Sequence, residues 1–217
     1  MADIQLNLVL LLTLVTVGIS MYAWSNEEFM DAWIMQPAAI NRDSRQWYRF
    51  LTSGFLHADW AHLIFNMIAF YSFGQFVLTL FEARFGLLGG NAAFLLLYLG
   101  GIVMSDVPTY RRHRHDWGYR SLGASGGVSS IIFAAVLYFP TVGIGFPLLP
   151  DLSIPGFIWA VLYLAYSHQM SRRGGDNINH DAHFYGALFG LVLAIILVPS
   201  SLPLFFLQIK AYVESKF

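Results

Sequence analysis

Four polar residues that could cooperate in catalysis lie inside otherwise apolar stretches of this 217-residue chain. Ser125 lies among glycines in the run Ser121-Leu122-Gly123-Ala124-Ser125-Gly126-Gly127, just after a loop rich in arginine and histidine. His62 and Asn66 lie four residues apart in an earlier apolar segment, and His183 lies in a later one. A serine hydroxyl needs an adjacent base to act as a nucleophile, and imidazole can supply it. Together these residues predict hydrolysis by an activated serine within a membrane.

Ser125 itself has two physical reasons to be reactive. The glycines beside it let other backbone approach closely and let the chain bend sharply. Ser125 also begins a predicted helix, whose first N–H groups and dipole favour negative charge, as an oxyanion hole requires. The two lysines, Lys210 and Lys216, lie at the far C-terminal end of the chain, so a Ser–Lys pair is excluded. His183 is therefore the expected base.

His183 lies on a helix face that can approach another helix closely. Gly186 and Gly190 follow it by three and seven residues, which places all three on one face. Small residues at this spacing let two membrane helices pack backbone to backbone. The Ser125 segment offers a matching row of small residues, Gly126, Ser130 and Ala134. We therefore expect this contact to bring the imidazole to the hydroxyl.

The composition is that of a membrane protein. Hydrophobic residues make up 57% of the chain and charged residues only 12%, with a mean hydropathy of +0.57, whereas soluble domains carry roughly a quarter charged residues. The net charge of −1 gives no indication of nucleic-acid binding. The lack of cysteine excludes disulfides, cysteine-ligated zinc and a cysteine nucleophile. We expect a single polytopic membrane domain over residues 1–217.

Six apolar stretches predict an all-α membrane protein with a bundle of six transmembrane helices. They cover about residues 4–24, 61–81, 91–105, 122–139, 156–168 and 182–198. A signal peptide is the alternative for the first stretch, but no lysine or arginine precedes it. The chain shows no internal repeat, which disfavours a transporter built from inverted repeats.

The connecting segments carry further expectations. Residues 25–60 are rich in charge and in aromatics that settle at membrane interfaces, so short interfacial helices are expected there. The stretch Asp106 to Arg120 and the turn-rich stretch after Pro140 are interpreted as loops. The polar segment Ser171 to Asp181, which contains Gly175, is a candidate lid, with an ordinary exposed connection as the alternative. Asp181 is interpreted as a loop residue rather than as the third member of a triad.

Three motifs, in this order along the chain, resemble those of the rhomboid intramembrane serine proteases. They are His-x4-His-x3-Asn, Gly-x-Ser-Gly and Ala-His-x-x-Gly-x-x-x-Gly. Their residues are, respectively, His57, His62 and Asn66; Gly123, Ser125 and Gly126; and His183, Gly186 and Gly190. The resemblance covers about residues 45–195 and implies a six-helix rhomboid-like bundle.

The resemblance implies a role for each matched residue. Ser125 and His183 would form a catalytic dyad, and His62, Asn66 and the backbone N–H of the serine would hold the oxyanion. His57 and the motif glycines would be structural. The arginine that follows an aromatic residue in the family's first loop corresponds to Arg49. The best-studied bacterial type carries a tyrosine against the catalytic ring one turn after the serine, where this chain has Ser129.

The expected function is that of an intramembrane serine endopeptidase that cleaves peptide bonds in or near transmembrane segments of membrane proteins. The alternative is a catalytically inactive rhomboid-like protein that only binds membrane helices. The expected partners are transmembrane substrates and the lipid bilayer, with no nucleic acid, cofactor or metal. An aspartyl protease is disfavoured because Asp176 lies in a polar loop without a partner aspartate. The His-Glu-x-x-His motif of zinc proteases is absent.

Two arguments place the site on opposite sides of the membrane. Most arginines lie in loops on the side of the site, and the positive-inside rule would make that side cytoplasmic. The resemblance to bacterial members implies instead a site that opens to the outside. Following the resemblance, we expect an integral multi-pass protein of the bacterial cytoplasmic (inner) membrane with an outward-facing site.

Overall fold

Helices make up most of the regular structure in this computed structural model, which describes residues 7–146, 149–173 and 178–216. The helices are α1 (Leu8–Trp24), α2 (Glu27–Trp33), α3 (Pro37–Arg42), α4 (Arg49–Thr52), α5 (Trp60–His113), α6 (Ser125–Tyr138), α7 (Gly156–Arg173), α8 (His180–Leu197) and α9 (Ser201–Glu214). Two 3-10 turns, Ser44–Tyr48 and Ser53–Phe55, flank α4. The architecture agrees with the predicted all-α membrane protein, apart from one hairpin of strands.

A β-hairpin replaces the loop expected after Pro140. Strand β1 (Gly143–Phe146) pairs antiparallel with β2 (Leu149–Pro155), and Ile144 lies opposite Ile154. The prolines and glycines of this stretch indicate a chain reversal, but strand pairing depends on cross-strand contacts that local turn signals do not report. The expectation of a loop is therefore wrong here.

Helix α5 is a helical hairpin rather than a straight rod. Gly86 has a φ of 73° and a ψ of 172°, which interrupts the helix near its middle. The ring centroids of Phe70 and Phe94 lie 6.0 Å apart, and a Cβ on Gly90 would lie 2.5 Å from the backbone N of Glu82. Both contacts require the two halves of α5 to run antiparallel. The chain therefore passes through the bundle twice within this element.

Length and hydropathy mark two helices of the described residues, α5 and α8, as able to cross a membrane, and α1 and α6 as shorter apolar helices. Helix α5 continues to His113 instead of ending near residue 105, so the expectation of a loop from Asp106 is wrong for its first half. Asp106 and Thr109 are buried there. These two polar residues face neighbouring parts of the protein, which composition alone cannot distinguish from facing water.

The ends of α7 and α8 also differ from expectation. Helix α7 continues to Arg173 instead of ending near residue 168, and α8 begins at His180. Asp181 therefore lies in the first turn of α8, and its interpretation as a loop residue is wrong. A carboxylate in the first turn of a helix is favoured by the helix dipole, which accounts for this placement.

Helix α6 is the centre of the bundle, and every residue from Gly126 to Tyr138 is buried. On one side it lies against the second half of α5, where a Cβ on Gly127 would lie 2.7 Å from the Tyr98 carbonyl oxygen. On another side it lies against α8. The largest buried side chains of the core include Phe70, Phe81, Phe94, Tyr98 and Phe133. A helix surrounded in this way cannot shift without displacing its neighbours, so the residues at its start are held firmly.

Arg49 holds together the short helices between α1 and α5. Its guanidinium is almost fully buried and donates to the backbone carbonyls of Asp31 and Ile34, each at 2.7 Å, and to Gln46 Oε1 at 2.8 Å. A buried guanidinium must have its N–H groups satisfied, and here this requirement joins α2, α4 and the turn between α3 and α4. The segment is thereby fixed against the second half of α5.

Candidate active site

A cavity of about 640 Å³ opens among side chains of α5, α6, α7 and α8. Ser125, His183, His62 and Asn66 all line it. Apolar side chains complete the wall, among them Phe65, Val128 and Ile132. The predicted nucleophile, the predicted base and the two predicted oxyanion residues therefore surround one space.

Ser125 is the first residue of α6, and the loop before it is clamped by the segment between α1 and α5. Met35 and Ser121 exchange two backbone hydrogen bonds of 3.0 and 3.1 Å, and the Gly123 N–H donates to the Ser53 carbonyl at 3.0 Å. Gly123 has a φ of 126°, a conformation that glycine adopts readily. Ala124, the N-cap residue of α6, has no side-chain group that could cap the helix. Its first N–H groups, which have no partner within the helix, can therefore bind an incoming oxygen.

His62 lies directly beside the serine loop. A Cβ on Gly123 would lie 2.8 Å from both Cε1 and Nε2 of the His62 ring, so glycine is needed to leave room for the imidazole. The backbone N–H of Ala58 donates to His62 Nδ1 at 3.5 Å. In the neutral ring this leaves the proton on Nε2, which makes that atom a donor next to the start of α6.

Asn66 lies one turn further along α5 and borders the same cavity. Its Nδ2 donates to the His62 carbonyl at 3.0 Å, which fixes the side chain along its own helix. A carboxamide nitrogen carries two protons, so the second proton can serve a group in the cavity. His62 and Asn66 thus present two donors from one face of α5.

His57 does not line the cavity but packs beneath it, with its ring centroid 4.9 Å from that of His62. The ring is fully buried, with Nδ1 3.0 Å from Ser20 Oγ, and the Trp24 indole donates to the His57 carbonyl at 2.7 Å. Burial, together with the neighbouring His62, lowers the pKa of His57 to about 3. His57 is therefore neutral at physiological pH and joins α1 to the chain that leads into α5.

Helix α8 carries His183 to the cavity through a very close contact with α6. A Cβ on Gly186 would lie 2.3 Å from the Gly126 carbonyl oxygen, and a Cβ on Gly190 would lie 2.3 Å from the Ser130 carbonyl oxygen. Glycine at both positions makes this approach possible. Since Gly126 directly follows the serine and Gly186 follows the histidine by three residues, the contact places Ser125 and His183 within one helical turn of each other along the bundle.

A tyrosine of α7 that the sequence prediction missed packs against His183. The rings of Tyr163 and His183 are inclined by only 18°, with centroids 6.1 Å apart. The Tyr163 hydroxyl lies 2.8 Å from Ser129 Oγ on α6. Ser129 could have indicated such a residue, because the best-studied bacterial type has its tyrosine at this position. With a serine there, a ring that packs against His183 has to come from another part of the chain. Several aromatics lie along α7, and no spacing in the sequence singles one of them out.

Polar contacts that the sequence prediction also missed anchor the start of α8. Asn179 caps the helix by accepting a backbone N–H bond at 3.1 Å, and Thr109 Oγ1 donates to the same oxygen at 3.2 Å. Asp181 pairs with Arg112 at 2.5 Å and accepts a hydrogen bond from Ser171. These contacts tie α8 to the ends of α5 and α7. Asp181 therefore holds the helix that carries His183.

Residues 174–177, which include Gly175 of the expected lid, lie outside the described residues. Ile178 and Asn179, at the end of that segment, line the cavity. Within the described ranges, no group of three or more histidine and carboxylate side chains is placed to hold a metal ion.

A family comparison covers this whole site. A family model described as the rhomboid domain matches residues 44–200. The chain belongs to the rhomboid family. The matched range contains every residue that lines the cavity, and it agrees with the resemblance expected over about residues 45–195. Family membership and the apolar helices make the protein an integral membrane protein.

Curated relatives come from bacteria and from organelles. The chain is 28% identical over 155 residues to the putative rhomboid protease YdcA of Bacillus subtilis, covering 70% of this chain and 68% of that protein. It is 30% identical over 141 residues to presenilin-associated rhomboid-like protein A, mitochondrial, of Danio rerio, covering 64% and 34%. It is 27% identical over 194 residues to RHOMBOID-like protein 12, mitochondrial, of Arabidopsis thaliana, covering 83% and 55%. The chain thus spans about a third and about half of the two mitochondrial relatives.

Proposed function

We propose that the protein is an intramembrane serine endopeptidase that cleaves peptide bonds in or near transmembrane segments of other membrane proteins. The observation that carries the proposal is the shared cavity, where Ser125, His183, His62 and Asn66 surround one space at the start of α6. Membership of the rhomboid family supports the same reaction, as does the similarity to a putative rhomboid protease.

We infer six membrane crossings, made by α1, the two halves of α5, α6, α7 and α8. The support is the antiparallel fold of α5 at Gly86, which divides one long element into two. Helix α6 has 14 residues, and at 1.5 Å per residue it is about 21 Å long, whereas the hydrocarbon core is about 30 Å thick. With Tyr138 at the far interface, Ser125 would lie roughly 9 Å beneath the near one. The cavity would then supply water to a serine within the membrane.

The proposed reaction uses the four cavity residues in two steps. Ser125 Oγ attacks the scissile carbonyl carbon while His183 accepts the hydroxyl proton. The oxyanion is held by the first N–H groups of α6, by His62 Nε2–H and by Asn66 Nδ2–H. His183 then donates its proton to the leaving amine, and an acyl-serine remains. Water attacks this ester, again with His183 as the base, and frees the serine.

The substrate class follows from the backbone of a membrane helix. Its amides are hydrogen-bonded internally, so a peptide bond must leave the helix before a serine can attack it. We therefore expect preferred substrates to carry small or helix-breaking residues near the cleaved bond. Location in a bacterial cytoplasmic membrane stays a prediction, because the relatives include mitochondrial as well as bacterial proteins.

Cleavage of a reporter protein with one transmembrane helix tests the proposal. Ser125→Ala and His183→Ala should each lower the cleavage rate by at least about 10³-fold, since the residues of such a unit act together. Ser130→Ala is the matched control, because it removes a hydroxyl of the same helix that bonds to the Leu97 carbonyl outside the cavity. Activity of Ser125→Ala within tenfold of the parent would overturn the mechanism. A folded parent that binds the reporter without cleaving it would favour the inactive rhomboid-like alternative.

A further inference from the structure

We propose that Tyr163 is a positioning residue for His183, held from the side of α7 by the hydroxyl of Ser129. The inference rests on the proposed protease function, because it assigns a task to the side chain beside the proposed base. It gives Ser129 a role as well, since a small hydroxyl residue at that position both leaves space for the tyrosine ring and bonds to it.

The geometry of the two rings carries the inference. An interplanar angle of 18° and a centroid distance of 6.1 Å lie within the range of offset-stacked aromatic pairs. Tyr163 is itself held on several sides. Trp159 stacks on it at 4.8 Å between centroids, Phe133 lies 5.5 Å away, and Ser129 Oγ lies 2.8 Å from its hydroxyl. A ring fixed in this way is a rigid wall for the imidazole.

The ring contacts of His183 are separate from the contacts that anchor α8. Asn179 and Asp181 fix the start of the helix, whereas two rotatable side-chain bonds join the His183 ring to the backbone, so contacts made by the ring itself help to set its orientation. On another side, the His180 ring meets it edge-on at 5.7 Å and 76°. Tyr163 supplies the flat face, and a base misplaced by about 1 Å can cost about 10² in rate.

Because Tyr163 belongs to α7, the position of that helix determines whether its ring reaches His183. Helix α7 packs mainly on α8 and to a lesser degree on α6, whereas α6 is buried from Gly126 to Tyr138. Tyr163 and Phe65 of α5 both border the cavity. A displacement of α7 away from α6 would therefore withdraw the wall from His183.

Steady-state cleavage by four variants tests the inference. Tyr163→Ala should lower kcat by about 10²-fold and change KM by less than about threefold, because the proposal assigns the ring to orienting the base. Tyr163→Phe keeps the ring and should recover kcat to within about fivefold of the parent. Tyr163→Leu keeps an apolar side chain without the flat face, so it should lose kcat like alanine at a thermal midpoint closer to the parent. Leu162→Ala, at a neighbouring α7 residue with 56% exposure, is the matched control.

The hydroxyl contact is tested by a double-mutant cycle. Tyr163→Phe and Ser129→Ala should each cause the same small loss of kcat, and the double variant should lose no more than either one, because they remove the same bond. Equal activity of Tyr163→Ala and the parent would overturn the inference, and so would equal impairment of the alanine and phenylalanine variants. A parent that neither cleaves the reporter nor reacts with a fluorophosphonate overturns the proposed function itself, so the two failures are distinguishable.

Discussion

Replacing Gly186 by alanine tests the closest contact between the two helices that carry the site. The added Cβ would lie 2.3 Å from the Gly126 carbonyl oxygen and 2.8 Å from Gly126 Cα. Both are backbone atoms, so neither can rotate out of the way. An ordinary Cβ contact begins at 3.4 Å, and α8 must therefore move away from α6 by roughly 1 Å.

The size of the effect follows from this displacement. Overpacking of a tight interior costs about 1–3 kcal/mol, and a chain of this length loses about 2–4 °C of Tm per kcal/mol. We therefore expect the Tm of Gly186→Ala to fall by about 2–12 °C. Because His183 lies one turn from Gly186, the same shift misplaces the proposed base and should lower the cleavage rate by about 10²-fold.

Thermal unfolding in detergent and reporter cleavage measure the two effects. Gly18→Ala is the matched control, since a Cβ on Gly18 of α1 would meet no atom of the described residues within 4 Å apart from its chain neighbours and its own helix backbone. It should leave Tm unchanged or raise it slightly, because alanine is a better helix former than glycine. A Gly186→Ala protein with the Tm and cleavage rate of the parent would refute the close contact of α8 with α6.

Three further substitutions probe the groups around the cavity. Burial lowers the pKa of His57 from 6.5 in the unfolded chain to about 3 in the folded one. The free energy of unfolding therefore falls as the pH drops from 6.5 towards 3, by about 1.4 kcal/mol per pH unit. His57→Asn should remove this contribution, which a comparison of Tm at pH 6.5 and 4.5 would measure. Asp181→Asn should lower the free energy of unfolding by about 1–2 kcal/mol, because it weakens the salt bridge to Arg112. A double-mutant cycle with Arg112→Gln would measure this interaction. His62→Ala should lower kcat by about 10²–10³-fold with Tm nearly unchanged, because it removes one of the proposed oxyanion donors.

Each of these three expectations has a result that contradicts it. The same pH dependence of Tm in His57→Asn and in the parent would mean that His57 does not resist protonation. Additive losses in the cycle of Asp181 and Arg112 would show that the two side chains do not stabilise each other. Normal cleavage by His62→Ala would make that residue a packing residue.

The sequence predicts the residues around the cavity because spacing along a helix determines which of them share a face. His62 and Asn66 are four residues apart, and Gly186 and Gly190 continue the face of His183. These relations depend only on the geometry of each helix, so they hold however the helices pack together. The rhomboid motifs then allow the separate faces to be combined into one site.

Features that depend on contacts between distant segments are beyond such local signals. Tyr163 meets His183 only because α7 is placed beside α8. The polar residues Asp106 and Thr109 suggest a loop, yet both are buried within α5 because neighbouring helices face them. The pairing of β1 with β2 likewise depends on which residues come to lie opposite each other.

Labelling with a serine-directed fluorophosphonate tests the central claim most directly, because it reports on the nucleophile without any assumption about the substrate. The folded parent should form one adduct, located by mass spectrometry on the peptide that contains Ser125. The adduct should be absent from Ser125→Ala and should form far more slowly in His183→Ala, whose serine lacks a base. A folded parent that forms no adduct, or one labelled at another serine, would contradict the account of Ser125 as an activated nucleophile.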